Sequence, residues 1–521
     1  MLAWQDIPTL LERLGRDEAR TPALTFYRGP TRVARLDYGE LAARVARTAA
    51  RLRALGVGSD DRVGLASANR LEVPVALLAL WRLGAVAVPL NPQAPHDWSH
   101  VLDHAGARAC LATQPHRQAL QSLTTTWPLE ACWDGPDGAP DDLRASATAP
   151  AIILYTSGTT GRPKGVVLSQ RNLITNGAIM ARHFGLERST QLAVLPLHHA
   201  HALGFGLMSA LSTRGHLVFS EGFDPWSWAA MVRAESVEVA SLVPTLLPLL
   251  LQAHVTHDQL PSLRALLVSS APLSRELARQ FEEATAIPLV HGWGLSEFTN
   301  FACCIDPDED PDDRRRLLWT AEVPSVGSPL PGTEVSVRDE QGRPVGEFVR
   351  GELCVRGGSR MIAYHHDPEA TERTLWRDWL RTGDQGYYRV IRGRSYFYVT
   401  ARLKEIIIRG GEKYSPLALE QTLLAELPEL SGHVAVVGFP HAMHGEEIGA
   451  YLDVPSLSDA SRSRILQATE RLPPDLRPKI ILHGAAAIPR THTGKVQRRQ
   501  LMPLFAAYQS CRGPTRLIAS P

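Results

Sequence analysis

The chain has 521 residues, 44% hydrophobic and 21% charged, which is the composition of an ordinary globular protein with about two to four domains. Its 55 lysines and arginines balance 54 aspartates and glutamates, so no overall field favours nucleic acid or an anionic membrane as a partner. The six cysteines form no CxxC pair and no zinc-ligand spacing, which is typical of a reducing compartment.

The N-terminal residues lack a basic region followed by an apolar one, so they do not predict a secretory signal. The most apolar stretch, residues 75–90, is interrupted by Arg82 and is too short to span a bilayer. We therefore expect a cytoplasmic protein without integral membrane contact.

Helical periodicity alternates with short β-branched runs over the first 400 residues. Helices are predicted at residues 41–55, 72–83, 226–234 and 274–285. Strands are predicted at residues 62–66, 85–90, 237–242 and 289–290. This alternation is typical of parallel sheets covered by helices, and so of an α/β fold.

Residues 306–316 are dense in charge and predict a polar surface loop, whereas residues 325–356 predict a smaller antiparallel piece. A glycine-interrupted segment opens near residue 400, where the composition changes. We place a domain boundary there, between a large N-terminal domain (residues 1–400) and a small α+β C-terminal domain (residues 401–521).

Residues 155–165, with the sequence YTSGTTGRPKG, follow the strand-like run 151–154 and suit a polyphosphate. Glycines let backbone N–H groups face an anion, hydroxyls add further donors, and Lys164 adds a positive charge. Gly165 stands where the GxxxxGK[ST] loop has its magnesium-binding hydroxyl, which argues against an ordinary P-loop ATPase. The predicted phosphate-binding residues are Thr156, Ser157, Gly158, Thr159, Thr160 and Lys164.

Residues 291–297, with the sequence HGWGLSE, follow another strand-like run. Trp293 stands between Gly292 and Gly294, so its ring can lie flat against a purine where the backbone comes close. Glu297 can hold Mg²⁺ between phosphate oxygens. Alone, this segment would more simply be a core tryptophan and a surface glutamate.

Two further segments carry charges suited to a nucleotide. Asp384 lies in a Thr-Gly-Asp turn and can accept hydrogen bonds from both hydroxyls of a ribose. Lys495 lies in residues 488–499, with the sequence IPRTHTGKVQRR, and alone would be part of a basic surface loop.

Together these segments resemble the acyl-adenylate-forming superfamily, which comprises acyl-CoA synthetases, luciferases and adenylation domains. The motifs stand in the family's order and cover most of the chain. The resemblance implies a mobile C-terminal domain, with ATP and Mg²⁺ as cofactors. It also implies an acid–thiol ligase that forms acyl-AMP and transfers the acyl group to coenzyme A or to the phosphopantetheine of an acyl carrier protein.

The resemblance also implies roles for catalytic residues. Lys495 would bridge the substrate carboxylate and the α-phosphate. Thr160 and Glu297 would act on the phosphates and the metal. Lys404 falls at the family's hinge between the domains, although Ala401 replaces the Gly or Asp common before Arg402.

Binding roles follow in the same way. Trp293, where the family usually has tyrosine, would stack on adenine, and Asp384 and Arg402 would fix the ribose. The turn against the adenine edge would be formed by Ser270, Ala271 and Pro272, where the family often has a glycine. Gly410 and Gly411 would line the approach of the thiol.

Residues 196–206 contain three histidines, but no nearby carboxylate or cysteine completes a metal set. Relatives that activate fatty, malonic or aromatic acids line the acyl pocket with a similar segment, so His199, His201 and Gly292 are pocket candidates. Amino-acid-activating relatives usually carry an aspartate here, and this chain has none, which implies a non-amino carboxylic acid, fatty or aromatic. An amino-acid-activating enzyme, a luciferase-like oxygenase and a catalytically silent scaffold are the alternatives.

Overall fold

The computed structural model describes residues 6–133, 146–156, 163–321, 323–491 and 494–519. These residues form two largely parallel sheets, one antiparallel sheet and a mixed C-terminal sheet. The α/β fold with an antiparallel piece and an α+β C-terminal part is therefore confirmed.

The first sheet has nine strands, of which the six central ones are parallel. In spatial order the strands are Ser328–Pro329, Phe301–Cys304, Leu289–Gly294, Ala265–Val268, Val239–Leu242, Thr190–Ala193, His216–Ser220, Pro22–Arg28 and Thr31–Asp37. The carboxyl ends of parallel strands meet at one edge of a sheet, so the segments after residues 193, 268 and 290 lie near one another.

The second sheet has seven strands and contains the phosphate-loop stems. In spatial order they are Ala363–Tyr364, Lys164–Ser169, Pro150–Thr156, Val86–Leu90, Arg62–Ala66, Ala109–Ala112 and Thr125–Pro128. Thr156 pairs with Lys164 where the two stems meet the loop. The predicted residues Ser157, Gly158, Thr159 and Thr160 lie outside the described residues.

Helices pack on both sheets and form two large apolar cores with them. The α-helices of this part are Ile7–Asp17, Tyr38–Ala54, Glu72–Arg82, Trp98–Ala105, Gln114–Gln121, Gln170–His183, Ser209–Thr213, Pro225–Ala234, Leu247–Gln252, Arg275–Thr285, Pro311–Arg315 and Pro368–Thr374. Every helix and strand predicted above is present, with its ends shifted by a few residues. Among the helices of the described ranges, none has the length and apolar character needed to cross a membrane.

The loop predicted at residues 306–316 is wrong in its second half. Asp310 accepts hydrogen bonds from the backbone of Asp312 and Asp313 and caps the helix Pro311–Arg315, which begins with proline at its first position. The π-helical turn Arg316–Thr320 follows directly. A helix this short contains too few residues to show apolar periodicity, so the density of charge led to the prediction of a loop.

The antiparallel sheet extends further than predicted, to residue 402. Its strands are Thr333–Arg338, Gly351–Gly357, Leu375–Trp376, Trp379–Ile391 and Arg394–Arg402. The predicted domain boundary at residue 400 falls near the end of the last of these strands.

The C-terminal part is built on a six-stranded sheet with strands Ile407–Arg409, Glu412–Tyr414, Val434–His441, Gly445–Leu452, Ile480–His483 and Arg516–Ala519. Its α-helices are Pro416–Glu426, Asp459–Arg471 and Arg498–Leu501. Alternate side chains of Val434–His441 enter two separate cores: Val434 and Val436 lie in one, and Val437 and Phe439 lie in the other. The buried members of both cores come from residues 407–505, which supports the proposed division into domains.

Candidate active site

Asp384 stands where the antiparallel sheet meets the nine-stranded sheet. It pairs directly with Arg402 across two antiparallel strands, and Arg402 Nε lies 2.8 Å from its Oδ1. Trp293 Nε1 donates to its Oδ2 over 2.9 Å, and the carboxylate is almost fully buried. Each carboxylate oxygen has a second lone pair, so the group remains able to accept from a ribose. The ion pair with Asp384 raises the pKa of Arg402.

Lys495 reaches this cluster from the C-terminal part. Burial lowers the pKa of its amine to about 8, and the nearby Arg402 adds to that lowering. The carboxylates of Asp384, Glu297 and Glu405 oppose the shift. One buried amine therefore shares a cleft with carboxylates from distant parts of the chain.

The loop that carries Lys495 lies against the predicted adenine-binding turn. Thr491 and Lys495 close the loop through two hydrogen bonds, of 2.7 and 3.1 Å. Gly494 has φ +84°, and a Cβ placed on it would lie 3.2 Å from Thr245 Cγ2 and 3.5 Å from the Cβ of Ala271. The C-terminal part is thus docked on the large domain through the loop that carries Lys495.

Glu297 is linked to the phosphate-loop stems through Tyr364. The Tyr364 hydroxyl donates to Glu297 Oε1 over 2.7 Å, and Lys164 Nζ lies 5.0 Å from the centre of the Tyr364 ring. Lys164 also forms a 3.0 Å ion pair with Asp367. Sequence reasoning missed Tyr364 and Asp367, because their role depends on the pairing of Ala363–Tyr364 with the strand after the loop.

Glu297 fits the magnesium role predicted for it. Mg²⁺ is usually bound through one or two carboxylates, substrate phosphates and retained waters, so a single carboxylate beside a phosphate loop is a suitable protein ligand. Tyr364 orients this carboxylate through one oxygen, which leaves the other oxygen for a cation.

The turn at residues 269–272 adopts a conformation that favours glycine, although this chain has serine there. Ser270 has φ +70°, a left-handed conformation. Its Oγ lies 3.0 Å from His201 Nδ1, and Ser269 Oγ lies 3.2 Å from the same nitrogen. The predicted adenine turn, with Ala271 and Pro272, therefore contacts the predicted acyl-pocket segment.

His201 is buried, and burial lowers its pKa to about 3, so the ring is neutral at physiological pH. Its Nε2 has no hydrogen-bond partner among the described residues, and its ring meets Phe301 edge-on at 5.0 Å. The rings of His198 and His199 lie 4.2 Å apart, with planes tilted by 59°, just before the π-helical segment Ala202–Met208. Such segments are frequent at functional sites.

The two glycines beside Trp293 are explained by packing within the protein. A Cβ on Gly292 would lie 2.8 Å from the Phe301 ring, and one on Gly294 would lie 1.7 Å from the carbonyl oxygen of Asn300. Any larger residue would displace the adjoining strand. Contact of these glycines with a ligand stays a prediction.

Gly410 and Gly411 are not brought into this cluster. They form an exposed hairpin turn, and a Cβ on either would meet no described atom within 4 Å. Lys404 is exposed in the short 3₁₀ turn Leu403–Glu405, between the antiparallel sheet and the C-terminal sheet. That position is consistent with a hinge.

Tyr155, just before the phosphate loop, is held by a histidine that sequence reasoning also missed. His104 Nδ1 lies 2.8 Å from the Tyr155 hydroxyl, and His365 and His366 pack around the His104 ring at 5.5 and 5.9 Å. Burial lowers the pKa of His104 and of His365. No spacing in the sequence signalled this cluster, because it joins segments far apart in the chain.

Comparisons with known proteins agree with this geometry. The profile of the AMP-binding enzyme family matches residues 11–365. A feruloyl-CoA synthase from Amycolatopsis is 33% identical over 437 residues, covering 82% of this chain and 84% of that protein. A sulfoacetate–CoA ligase from Cupriavidus necator is 30% identical over 525 residues, covering 95% and 97%.

Among solved structures, ATP-bound MatB from Rhodopseudomonas palustris superposes with a TM-score of 0.84 at 27% identity, covering 96% of this chain and 100% of that one. The profile match alone spans well over half of the chain, and the two relatives are named as ligases or synthases of coenzyme A thioesters. The chain therefore belongs to the AMP-binding enzyme family, as an AMP-forming acid–thiol ligase.

Proposed function

We propose that this enzyme activates a fatty or aromatic carboxylic acid as acyl-AMP and transfers the acyl group to coenzyme A. The observation that carries the proposal is the convergence of the Lys495 amine with Glu297, Asp384 and Arg402 in one cleft. The Lys495 amine beside groups suited to a ribose and a metal fits the reaction of a carboxylate at the α-phosphate of ATP.

In the first step, a carboxylate oxygen bonds to the α-phosphorus, the bond from that phosphorus to the bridging oxygen breaks, and pyrophosphate leaves. Negative charge accumulates around the α-phosphate, where the Lys495 ammonium would stabilise it. Lys164 and the phosphate-loop donors would hold the β- and γ-phosphates, and Asp384 with Arg402 would fix the ribose. Mg²⁺ held by Glu297 would neutralise phosphate charge.

In the second step, the thiol sulfur bonds to the acyl carbon, the bond from that carbon to the AMP oxygen breaks, and the thiol proton passes to solvent. Lys495 is no longer needed there, and Gly410 and Gly411 are remote from the cleft in this arrangement. We infer that the C-terminal part rotates about Lys404, removing Lys495 and bringing the Gly410–Gly411 turn to the thiol. Lid movements of this kind commonly gate enzyme steps.

The surroundings of His201 support a non-amino acid. Its ring lies among Phe301, Ser269 and Ser270, and burial keeps it neutral. A substrate ammonium group would need a carboxylate to replace its hydration. None of the ring contacts described for His201 is a carboxylate.

Acid-dependent exchange between ATP and labelled pyrophosphate, screened over fatty, aromatic and amino acids, tests the first step. The best acid is then offered with coenzyme A or with a pantetheinylated acyl carrier protein. We expect exchange with a fatty or aromatic acid and thioester formation with coenzyme A. Exchange only with amino acids, transfer only to the carrier protein, or oxygen uptake dependent on acid and ATP would each contradict the proposal.

A further inference from the structure

A second cluster of ligand-type side chains lies in the C-terminal part, at the end of a β-hairpin. The strands Val434–His441 and Gly445–Leu452 are antiparallel, with His441 opposite Gly445 and Phe439 opposite Glu447. This register places His441 and Glu447 on the same face of the sheet. His444 belongs to the connecting turn, and one ligand atom from each of the three residues lies within 4.8 Å of the others.

Two of these three side chains are already oriented by neighbouring groups. His441 Nε2 lies 2.9 Å from the carbonyl oxygen of Cys511, and a hydrogen bond donated there leaves Nδ1 with its lone pair. Donation from one ring nitrogen to a carbonyl is the usual support of a metal-binding histidine. Among the described residues, the backbone N–H of Met443 competes for Nδ1 through a long hydrogen bond of 3.3 Å.

Glu447 is held in a comparable way. Its Oε1 lies 2.6 Å from Arg409 Nε and accepts from the backbone N–H of Ile448 over 2.9 Å. No described residue bonds Oε2, which remains available to a cation. The positive charge of Arg409 beside this carboxylate limits the affinity for a dication.

The third side chain gives access to the cluster. His444 is half-exposed and stacks on His441, with ring centres 4.9 Å apart and planes 10° from parallel. His441 and Glu447 are buried. The half-exposed His444 therefore connects the two buried ligands with solvent.

We propose that His441, His444 and Glu447 form a binding site for a borderline divalent metal ion, with Zn²⁺ as the best fit. Two imidazoles and one carboxylate, with a water in the fourth position, are a common zinc set, and Ni²⁺ and Cu²⁺ accept the same ligands. Because Arg409 opposes a second positive charge, binding is reversible and the domain folds without the ion. The site is separate from the magnesium-binding role of Glu297.

Calorimetric titration of the chelator-treated, full-length enzyme with zinc chloride tests this site. We expect one equivalent to bind, and His444→Gln to weaken binding at least tenfold, the loss expected for one of three ligands. His433→Gln is the matched control, because His433 lies in the same domain but pairs with Asp453 at an exposed position. It should bind zinc like the wild type.

His444 is a half-exposed turn residue outside the apolar cores, and thermal unfolding without metal checks that His444→Gln is folded. At a zinc concentration near the dissociation constant of the wild type, zinc should then raise the melting temperatures of the wild type and of His433→Gln, and raise that of His444→Gln clearly less. Absence of binding to the wild type, or equal binding by wild type and His444→Gln, would overturn the proposal. Equal binding by the two proteins would mean that the ion is held by another of the histidine-rich segments.

Discussion

The indole N–H of Trp293 is bonded to the carboxylate of Asp384, over a distance of 2.9 Å, and joins two sheets at the predicted ribose site. Arg402 holds the other oxygen of the same carboxylate. The carboxylate is thus oriented before any nucleotide arrives, and tryptophan contributes a donor as well as a ring.

Trp293→Phe keeps an aromatic ring and removes the donor. A hydrogen bond to a charged group contributes about 1.5–3 kcal/mol, so we expect KM for ATP to rise by roughly 10- to 100-fold with a smaller change in kcat. Steady-state kinetics with varied ATP measure this. Trp226→Phe, at a largely exposed position, is the control. An unchanged KM would show that Asp384 does not depend on the indole for its orientation.

Lys495→Ala should slow acyl-AMP formation by at least ~10²–10³-fold, the scale expected for loss of one preorganised charge-stabilising group. It should spare thioester formation from supplied acyl-AMP, because the proposed rotation removes Lys495 before transfer. The two half-reactions are measured by pyrophosphate exchange and by coenzyme A consumption. Lys479→Ala, on the same domain, should affect neither, and an equal fall in both half-reactions would refute the division of roles.

The pKa of Lys495, lowered to about 8 by burial, predicts a pH dependence of the first step. The ammonium is the active form, so kcat/KM for ATP should fall as pH rises through about 8, because this ratio reports the free enzyme. Lys495→Arg stays charged over this range and should lose the alkaline fall while keeping part of the activity. The same fall in that variant would assign the titration to another group.

The lowered pKa values of three buried histidines lead us to expect a loss of stability in acid. Burial lowers the pKa of His201 to about 3 and those of His216 and His291 to about 4. In the unfolded chain these groups take up protons near pH 6.5, so the unfolded state binds more protons below that pH. The free energy of unfolding should therefore fall as pH drops from about 6.5 towards 4, by about 1.4 kcal/mol per pH unit for each histidine.

Urea unfolding at several pH values measures this slope. His216→Gln should reduce the slope of the unfolding free energy against pH, because glutamine does not titrate. His433→Gln removes an exposed histidine and should leave that slope unchanged. If His216→Gln and the wild type had the same slope, the loss of stability in acid would depend on other groups.

Much of the fold was predictable because its elements are long enough to show a period. The helix Glu72–Arg82 and the strand Arg62–Ala66 carry apolar patterns that local sequence reveals. The helix Pro311–Arg315 does not, since it depends on a single capping aspartate among other charges.

Some residues of the candidate site could likewise be predicted from the sequence, and others could not. Lys495 and Asp384 stand in motifs and could be predicted, and the structure brings them into one cleft. Tyr364 and Asp367 could not be predicted, because they become relevant only through a strand pairing that no local pattern encodes. The glycines beside Trp293 were identified, but the packing that requires them was visible only in three dimensions.

A Cβ at position 494 would lie 3.2 Å from Thr245 Cγ2 and 3.5 Å from the Cβ of Ala271, so the absence of a side chain at Gly494 lets the Lys495 loop lie close to the large domain. A larger residue there would strain the Lys495 loop itself, because of the left-handed φ of +84°, and would also press on the large domain in the docked arrangement. Glycine at position 494 therefore meets two demands at once, the backbone conformation of the Lys495 loop and its close approach to Thr245.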